Sequence, residues 1–267
     1  MRIPEPVKGL FGLGAVLVVA SAIGAVVGVG PLSGMMPADQ VRDPNEMVAR
    51  SLSAVMDTSA VHLDITLEGT VPGEVLGWPE DAVDLSGTTA SVDLRPRDVR
   101  SRIHLESPGS DVYVDAVTEW DTAWYRTAAG ESWTKGSIGV LASGTNLDLN
   151  PLFLADKVRE YLAASAGATS VEDVPCASAS GTCHEVVLQA GPGPGRLIAA
   201  LLPAASRGAF PVTASMLTLD TDAKTLRPAR VELDVMSEDG AVDLVLTVDV
   251  RRWDDGSIVI GDPTGSG

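Results

Sequence analysis

The chain has 267 residues, and its 19 Lys and Arg stand against 36 Asp and Glu, which gives a formal net charge of −17 at pH 7. A surface this acidic repels nucleic acid and anionic lipid headgroups at long range, so nucleic acid is excluded as a partner. Aromatic residues make up 4% of the chain, so few bulky rings are present to fill a wide core.

The N-terminus predicts a membrane segment. Residues 9–32 contain no charged side chain and are long enough to cross a bilayer core of about 30 Å as a helix. Arg2 and Lys8 precede this segment and acidic residues follow it, so residues 1–8 are predicted to be a cytoplasmic tail and the rest extracytoplasmic. A retained single-pass anchor in the cell membrane is expected. The alternative is a cleaved signal sequence and a secreted protein.

After a linker (33–43), the stretch "DPNEMVARSLSAVMDTS" predicts a helix, with Asp43 as its cap and Pro44 at its first position. Its apolar residues recur at helical spacing and would cover a core face; they are Val48, Leu52, Val55 and Met56.

Strands dominate the remainder. In "VHLDITLE" the apolar residues Val61, Leu63, Ile65 and Leu67 alternate with polar ones, which is typical of a strand buried on one face. "DVRSRIHLE" likewise places Ile103 and Leu105 on one face, so His62 and His104 are expected on the polar face. Further strands are predicted at 88–94, 112–118, 122–127, 184–189, 213–220, 229–235, 242–250 and 257–260, several of them joined by hairpin turns.

Two more helices are predicted, at 150–165 and 195–204. The pattern as a whole indicates an α+β fold, in which a large, curved antiparallel sheet forms a half-barrel and a few helices cover its apolar concave face. One extracytoplasmic domain would span 44–262, followed by a flexible tail at 263–267.

The two cysteines, Cys176 and Cys183, are separated by six residues, whereas a redox CxxC motif has two. A zinc site built on them and His184 would need a fourth ligand. In an oxidising compartment the pair is better explained as a disulfide across the turn "ASASGT".

No motif predicts catalysis. The loop "GPGPGRLIAALL" contains two prolines that lack the amide donors of a phosphate cradle, and there is no GxSxG elbow. The acidic pairs Asp254/Asp255 and Asp220/Asp222 are expected in turns, with a calcium site as the alternative interpretation. We therefore predict no enzyme, no catalytic residue, no metal and no cofactor.

The order of segments resembles a known family. The anchor, the capped helix, "TSAVHLDITLEG", "TAWYRTAAGESWTKG" with Tyr125 and Trp133, the hairpin before "CHEVVL" and the final "RRWDDGSIVIGDP" look like the LppX/LprG-type cell-envelope lipoproteins, relatives of the LolA/LolB lipoprotein carriers. Members of that family typically have an acylated lipobox cysteine, which is replaced here by a membrane helix. The resemblance covers about residues 44–262.

This resemblance implies a half-barrel around helices, with a hydrophobic cavity that binds lipid or glycolipid acyl chains and performs no chemistry. The candidate cavity residues are aliphatic or aromatic: Val61, Leu63, Ile65, Leu67, Ile103, Leu105, Phe153, Leu154, Val158 and Leu197. A solid aliphatic core would give the same alternation. An envelope sensor or scaffold domain that acts through a protein partner is the alternative function.

Overall fold

A computed structural model describes residues 41–73, 81–95, 98, 100–107, 112–120, 122–137, 168–177, 181–190 and 212–265. The predicted anchor (9–32), the predicted helices at 150–165 and 195–204, and the candidate residues Phe153, Leu154, Val158 and Leu197 lie outside these ranges. No helix among the described residues is long and apolar enough to span a bilayer.

The described helix, α1 (Pro44–Asp57), begins as predicted. The amide of Glu46 donates to the Asp43 carboxylate at 2.8 Å, which satisfies one of the free amides at the helix start. Met47 and Val48 are buried, and α1 packs mainly against four strands at one end of the sheet, β8 to β11.

Within the described ranges, twelve strands form one antiparallel sheet. They are β1 (Val61–Pro72), β2 (Ala82–Asp84), β3 (Thr88–Arg95), β4 (Arg100–Ser107), β5 (Val112–Glu119), β6 (Thr122–Arg126), β7 (Thr134–Ser137), β8 (Ala168–Pro175), β9 (Thr182–Ala190), β10 (Val212–Asp222), β11 (Pro228–Ser237) and β12 (Asp243–Trp253). The large antiparallel sheet of the predicted fold class is thereby confirmed.

The strand order is β7-β6-β5-β4-β3-β1-β12-β11-β10-β9-β8, with β2 paired to the end of β1. Two meanders, β3–β7 and β8–β12, therefore meet where β1 pairs with both β3 and β12. The sheet is open, with β7 and β8 at its two ends in the described part of the chain.

The period-two pattern defines the two faces of this sheet. Leu63, Ile65 and Leu67 of β1 are at most 4% exposed and lie on what we call the inner face. The residues between them, such as Asp64 and Thr66, lie on the outer face and are half-buried or exposed.

A second apolar cluster lies on the outer face. It consists of Ala60, Val117, Trp124, Ile258 and Ile260, with Trp133 packed against it. The segment 254–265, which we call the C-terminal strap, supplies the two isoleucines. Its position over β4 is held by the guanidinium of Arg100, which donates to the carbonyl of Ile260 at 3.4 Å.

The prediction of a strand at 257–260 was wrong, because these residues belong to no ladder. The alternation in "SIVI" has another cause: Ile258 and Ile260 are 4% and 3% exposed against the outer-face cluster, while Val259 between them is 80% exposed. Strands β2, β7 and β8 were not predicted. Their sequences, "AVD", "TKGS" and "ATSVEDVP", carry too few alternating apolar residues to signal a strand.

Candidate functional site

The inner face carries a continuous row of aliphatic side chains across nine strands. The row runs through Val114, Leu105, Ala90, Ile65, Val248, Val231, Leu219, Val186 and Val171, each directly opposite the next in the ladders. Val171 is half-buried and the other eight are at most 6% exposed. This aliphatic row is the central feature of the inner face.

All six candidate cavity residues within the described ranges lie on this face. Val61, Leu63, Ile65, Leu67, Ile103 and Leu105 are between 0% and 8% exposed. Their shared face follows from the ladders, which place Leu63 opposite Val92 and Val92 opposite Ile103. The sequence-based grouping of these six residues on one side is therefore confirmed, whereas their contact with a ligand stays a prediction.

Two buried polar side chains on the inner face satisfy each other. The hydroxyls of Thr88 and Ser107 are 2.6 Å apart, and both residues are 1% exposed. Such a pair leaves the surrounding surface apolar, because the hydrogen bond between the hydroxyls offsets the cost of removing them from water.

At the β8–β9 end of the inner face, His184 is 2% exposed between two charged partners. Its Nδ1 lies 2.6 Å from Asp173 Oδ1, and its Nε2 lies 2.9 Å from a guanidinium nitrogen of Arg42. Because arginine can only donate, Nε2 is the acceptor and Nδ1–H donates to Asp173. The arrangement connects the segment before α1 to the sheet.

The disulfide prediction is confirmed: Cys176 and Cys183 are bonded, with their Cα atoms 5.0 Å apart. The bond closes the β8–β9 hairpin, where the amide of Cys176 also donates to the carbonyl of Gly181 at 3.1 Å. The zinc interpretation of Cys176, Cys183 and His184 is excluded, since both sulfurs are consumed. No group of three or more potential metal ligands occurs within the described residues.

The two histidines predicted on the polar face are found there. Nδ1 of His62 lies 2.7 Å from Asp93 Oδ1. His104 lies 3.3 Å from Glu106 and packs edge-on against the ring of Tyr113. Each histidine therefore pairs with a carboxylate on a charged, half-exposed surface.

The outer face carries a row of charged residues that the sequence pattern did not reveal. Glu185, Asp220, Arg230, Asp249 and Asp64 are successive neighbours across five strands. Asp220 is 7% exposed and lies in β10, in agreement with the strand predicted at 213–220 and not with a turn position. Burial, together with the nearby Glu185, raises the pKa of Asp220 to about 6, although Arg230 opposes the shift.

Asp254 and Asp255 follow β12 in a turn, as predicted, but only Asp255 makes a local turn hydrogen bond, whereas Asp254 binds the segment before β1. Asp254 accepts hydrogen bonds from the Ser59 amide at 2.9 Å and the Thr58 hydroxyl at 2.8 Å. These bonds and the ion pair with Arg227 hold the pKa of Asp254 well below its usual range. Asp255 instead accepts from the amide of Ser257 at 2.8 Å, so the two carboxylates have separate structural partners.

Neither a protein family nor a curated protein sequence matches the chain. Among solved structures, an uncharacterized conserved protein from Thermus thermophilus is similar at 15% identity and a TM-score of 0.37, covering 78% of this chain and 86% of that one. A LolA superfamily protein from Nitrosomonas europaea is similar at 7% identity and a TM-score of 0.28, covering 80% and 93%. Similarity at this level assigns neither family nor function to the chain.

Proposed function

We propose that the protein binds a hydrophobic ligand, such as the acyl chains of a lipid or glycolipid, against the inner face of its sheet. The carrying observation is the aliphatic row, which crosses nine strands without a polar side chain. Acyl chains bind to an apolar surface without requiring polar partners, because burial of each methylene contributes about 0.8 kcal/mol.

The dimensions of the sheet show how much of the aliphatic row α1 can cover. Nine strands about 4.8 Å apart extend over roughly 38 Å, whereas the 14 residues of α1 form a cylinder roughly 21 Å long and 10 Å wide. Since α1 packs mainly on β8–β11, and the aliphatic row on β1 and β3–β5 is nevertheless at most 6% exposed without a ligand, other parts of the protein bury this surface. A ligand would therefore lie between those parts and the sheet. A bound acyl chain of ten methylenes there would contribute about 8 kcal/mol before the costs of binding.

In the same proposal the protein is an extracytoplasmic, non-catalytic carrier that residues 9–32 tether to the membrane, so that ligand is handed over near the membrane surface. The disulfide supports an oxidising location, because such bonds persist outside the cytoplasm. The competing proposal is a sensor or scaffold that acts through an envelope protein partner and has a filled core.

The test uses full-length chain with a protease site introduced before Val41, cleaved after folding so that lipid around the anchor is removed. The released domain is examined by native mass spectrometry, then extracted with organic solvent. A stoichiometric, lipid-sized mass increment that disappears on extraction supports the proposal. A bare polypeptide mass, with no uptake of offered lipid, contradicts it and favours the scaffold.

Adjacent positions on β3 provide a matched pair of variants. Ala90 lies on the inner face between Ile65 and Leu105, and Ser91 lies on the outer face between Asp64 and His104. Phenylalanine at position 90 would occupy ligand space, so Ala90→Phe should lower bound lipid severalfold while Ser91→Phe leaves it unchanged. In a solid core, Ala90→Phe would instead destabilise by about 1–3 kcal/mol through overpacking, and neither variant would affect lipid.

A further inference from the structure

The outer face contains a pocket that is separate from the aliphatic row. It has a volume of about 270 Å³ and lies between β4–β6, the residues after β6 and the C-terminal strap. Its walls include Arg102 and Arg126 from the sheet, Trp133 beyond β6, and Ile260 and Gly261 from the strap.

One wall is a fixed ion pair. Two nitrogens of the Arg126 guanidinium donate to Asp115 Oδ2, at 2.7 and 3.1 Å, and Asp115 is 2% exposed. The same guanidinium lies over the ring of Trp133, 4.9 Å from its centroid. This hydrogen bonding with Asp115 raises the pKa of Arg126, so its charge is permanent and largely balanced by the carboxylate.

Arg102 supplies the second positive charge of the pocket, and its ion-pair partner, Asp115, is distant. Its Nε lies 4.0 Å from Asp115 Oδ1, beyond hydrogen-bond distance, and its side chain is 52% exposed. Asp115 Oδ1 has no hydrogen-bond partner within the described structure. The guanidinium of Arg102 therefore lines the pocket with donors that no described acceptor satisfies.

This situation distinguishes Arg102 from the other described arginines. Apart from Arg42, which binds His184, each of the others has a carboxylate oxygen within 3.1 Å; they are Arg50, Arg95, Arg100, Arg126, Arg227, Arg230, Arg251 and Arg252. Acidic residues outnumber basic ones in this chain, 36 to 19. A guanidinium that lines a pocket without a close carboxylate is therefore unusual.

We propose that this pocket binds a singly charged oxyanion, either a carboxylate or a phosphodiester. Two guanidiniums and one buried carboxylate leave one unit of positive charge, which matches a monoanion. The planar guanidinium of Arg102 suits two-point hydrogen bonding to either group. The acidic exterior does not prevent binding, because exposed charges beyond about 8 Å are largely screened at physiological salt. The proposal is independent of the inner-face ligand.

The test measures the rate at which phenylglyoxal modifies individual arginines in the full-length chain in a non-ionic detergent, followed by peptide mass spectrometry. Dimethyl phosphate or acetate is added at constant ionic strength. Arg251, 42% exposed and ion-paired to Asp64, is the internal control. The Arg102 rate should halve at the dissociation constant of the probe and fall roughly tenfold at ten times that concentration, with Arg251 unchanged. Equal slowing at both arginines overturns the proposal.

A matched pair of surface variants sharpens the result. Val259 lines the pocket and is 80% exposed, so Val259→Glu would supply an internal carboxylate without disturbing the core. It should abolish the effect of the probe on Arg102. Met236→Glu, at an outer-face position that is 50% exposed, should leave the effect intact. Loss of the effect in both variants would indicate a general charge effect and contradict a built site.

The source of the oxyanion is distinguished by repeating the measurement in nanodiscs without the probe. Protection of Arg102 in phosphatidylglycerol discs, but not in phosphatidylcholine discs, identifies an anionic lipid headgroup. Protection by dissolved dimethyl phosphate alone identifies a small free anion. Both outcomes support the pocket as an oxyanion site, whereas unprotected Arg102 under every condition overturns it.

Discussion

Gly69 is the position in β1 where the structure most directly forbids a side chain. Its φ is +113°, a backbone conformation that L-residues rarely adopt. A Cβ there would lie 1.9 Å from the carbonyl oxygen of Asp243 and 2.9 Å from the carbonyl carbon. Both are backbone atoms at the start of β12, so no side-chain rotation can relieve the overlap. Gly69→Ala must therefore displace the end of the β1–β12 ladder.

The expected magnitude combines two costs. The backbone conformation costs about 1–2 kcal/mol, and separating the two strands sacrifices ladder hydrogen bonds of about 1 kcal/mol each. We expect Gly69→Ala to lower the free energy of unfolding by about 3 kcal/mol or more. Urea unfolding followed by tryptophan fluorescence, with each variant under identical conditions, measures the difference from the wild type.

Two control glycines separate these costs. Gly87 also has a positive φ, +75°, but a Cβ there would meet nothing within 4 Å, so Gly87→Ala should show the conformational cost alone. Gly136 has neither a positive φ nor a close neighbour, and Gly136→Ala should have little effect. If Gly69→Ala were no more destabilising than Gly87→Ala, the close approach of the Asp243 carbonyl would be refuted.

Three further outcomes are expected. Replacing Cys176 and Cys183 by serine should lower the free energy of unfolding by about 2.5 kcal/mol, given a loop of this length, and should make urea unfolding insensitive to reductant. Asp220 has a folded-state pKa of about 6, above its ordinary value of 3.8, so the wild type should gain stability as pH falls from about 6 to about 4. Asp220→Asn should stabilise the protein at pH 7 and abolish this gain, and an unchanged pH profile would refute the shift. Asp254 has a depressed pKa, so the stabilisation that its charge provides is present above about pH 4 and is lost at lower pH. The difference in free energy of unfolding between the wild type and Asp254→Asn should therefore become smaller below about pH 4. A difference that does not change with pH would contradict the role of the Asp254 charge.

Local patterns in the sequence determined the elements that depend on neighbouring residues. Alternation in "VHLDITLE" placed Leu63, Ile65 and Leu67 on one buried face, because successive side chains of a strand point to opposite sides. The cap at Asp43 also depends on near neighbours. The bond between Cys176 and Cys183 needed only their spacing within a hairpin and an oxidising compartment. The six described candidate residues of the inner face were therefore predictable.

Tertiary structure alone decided which distant segments meet. The pairing of β1 with β12 joins segments at opposite ends of the domain, and no local period encodes that partnership. Alternating isoleucines in "SIVI" signal burial on one side but not what buries them, so a strap against the outer face was mistaken for a strand. The pocket of Arg102 and Arg126 likewise depends on register across three strands and on the returning strap. Its chemistry arises from distances between side chains, which a linear sequence does not contain.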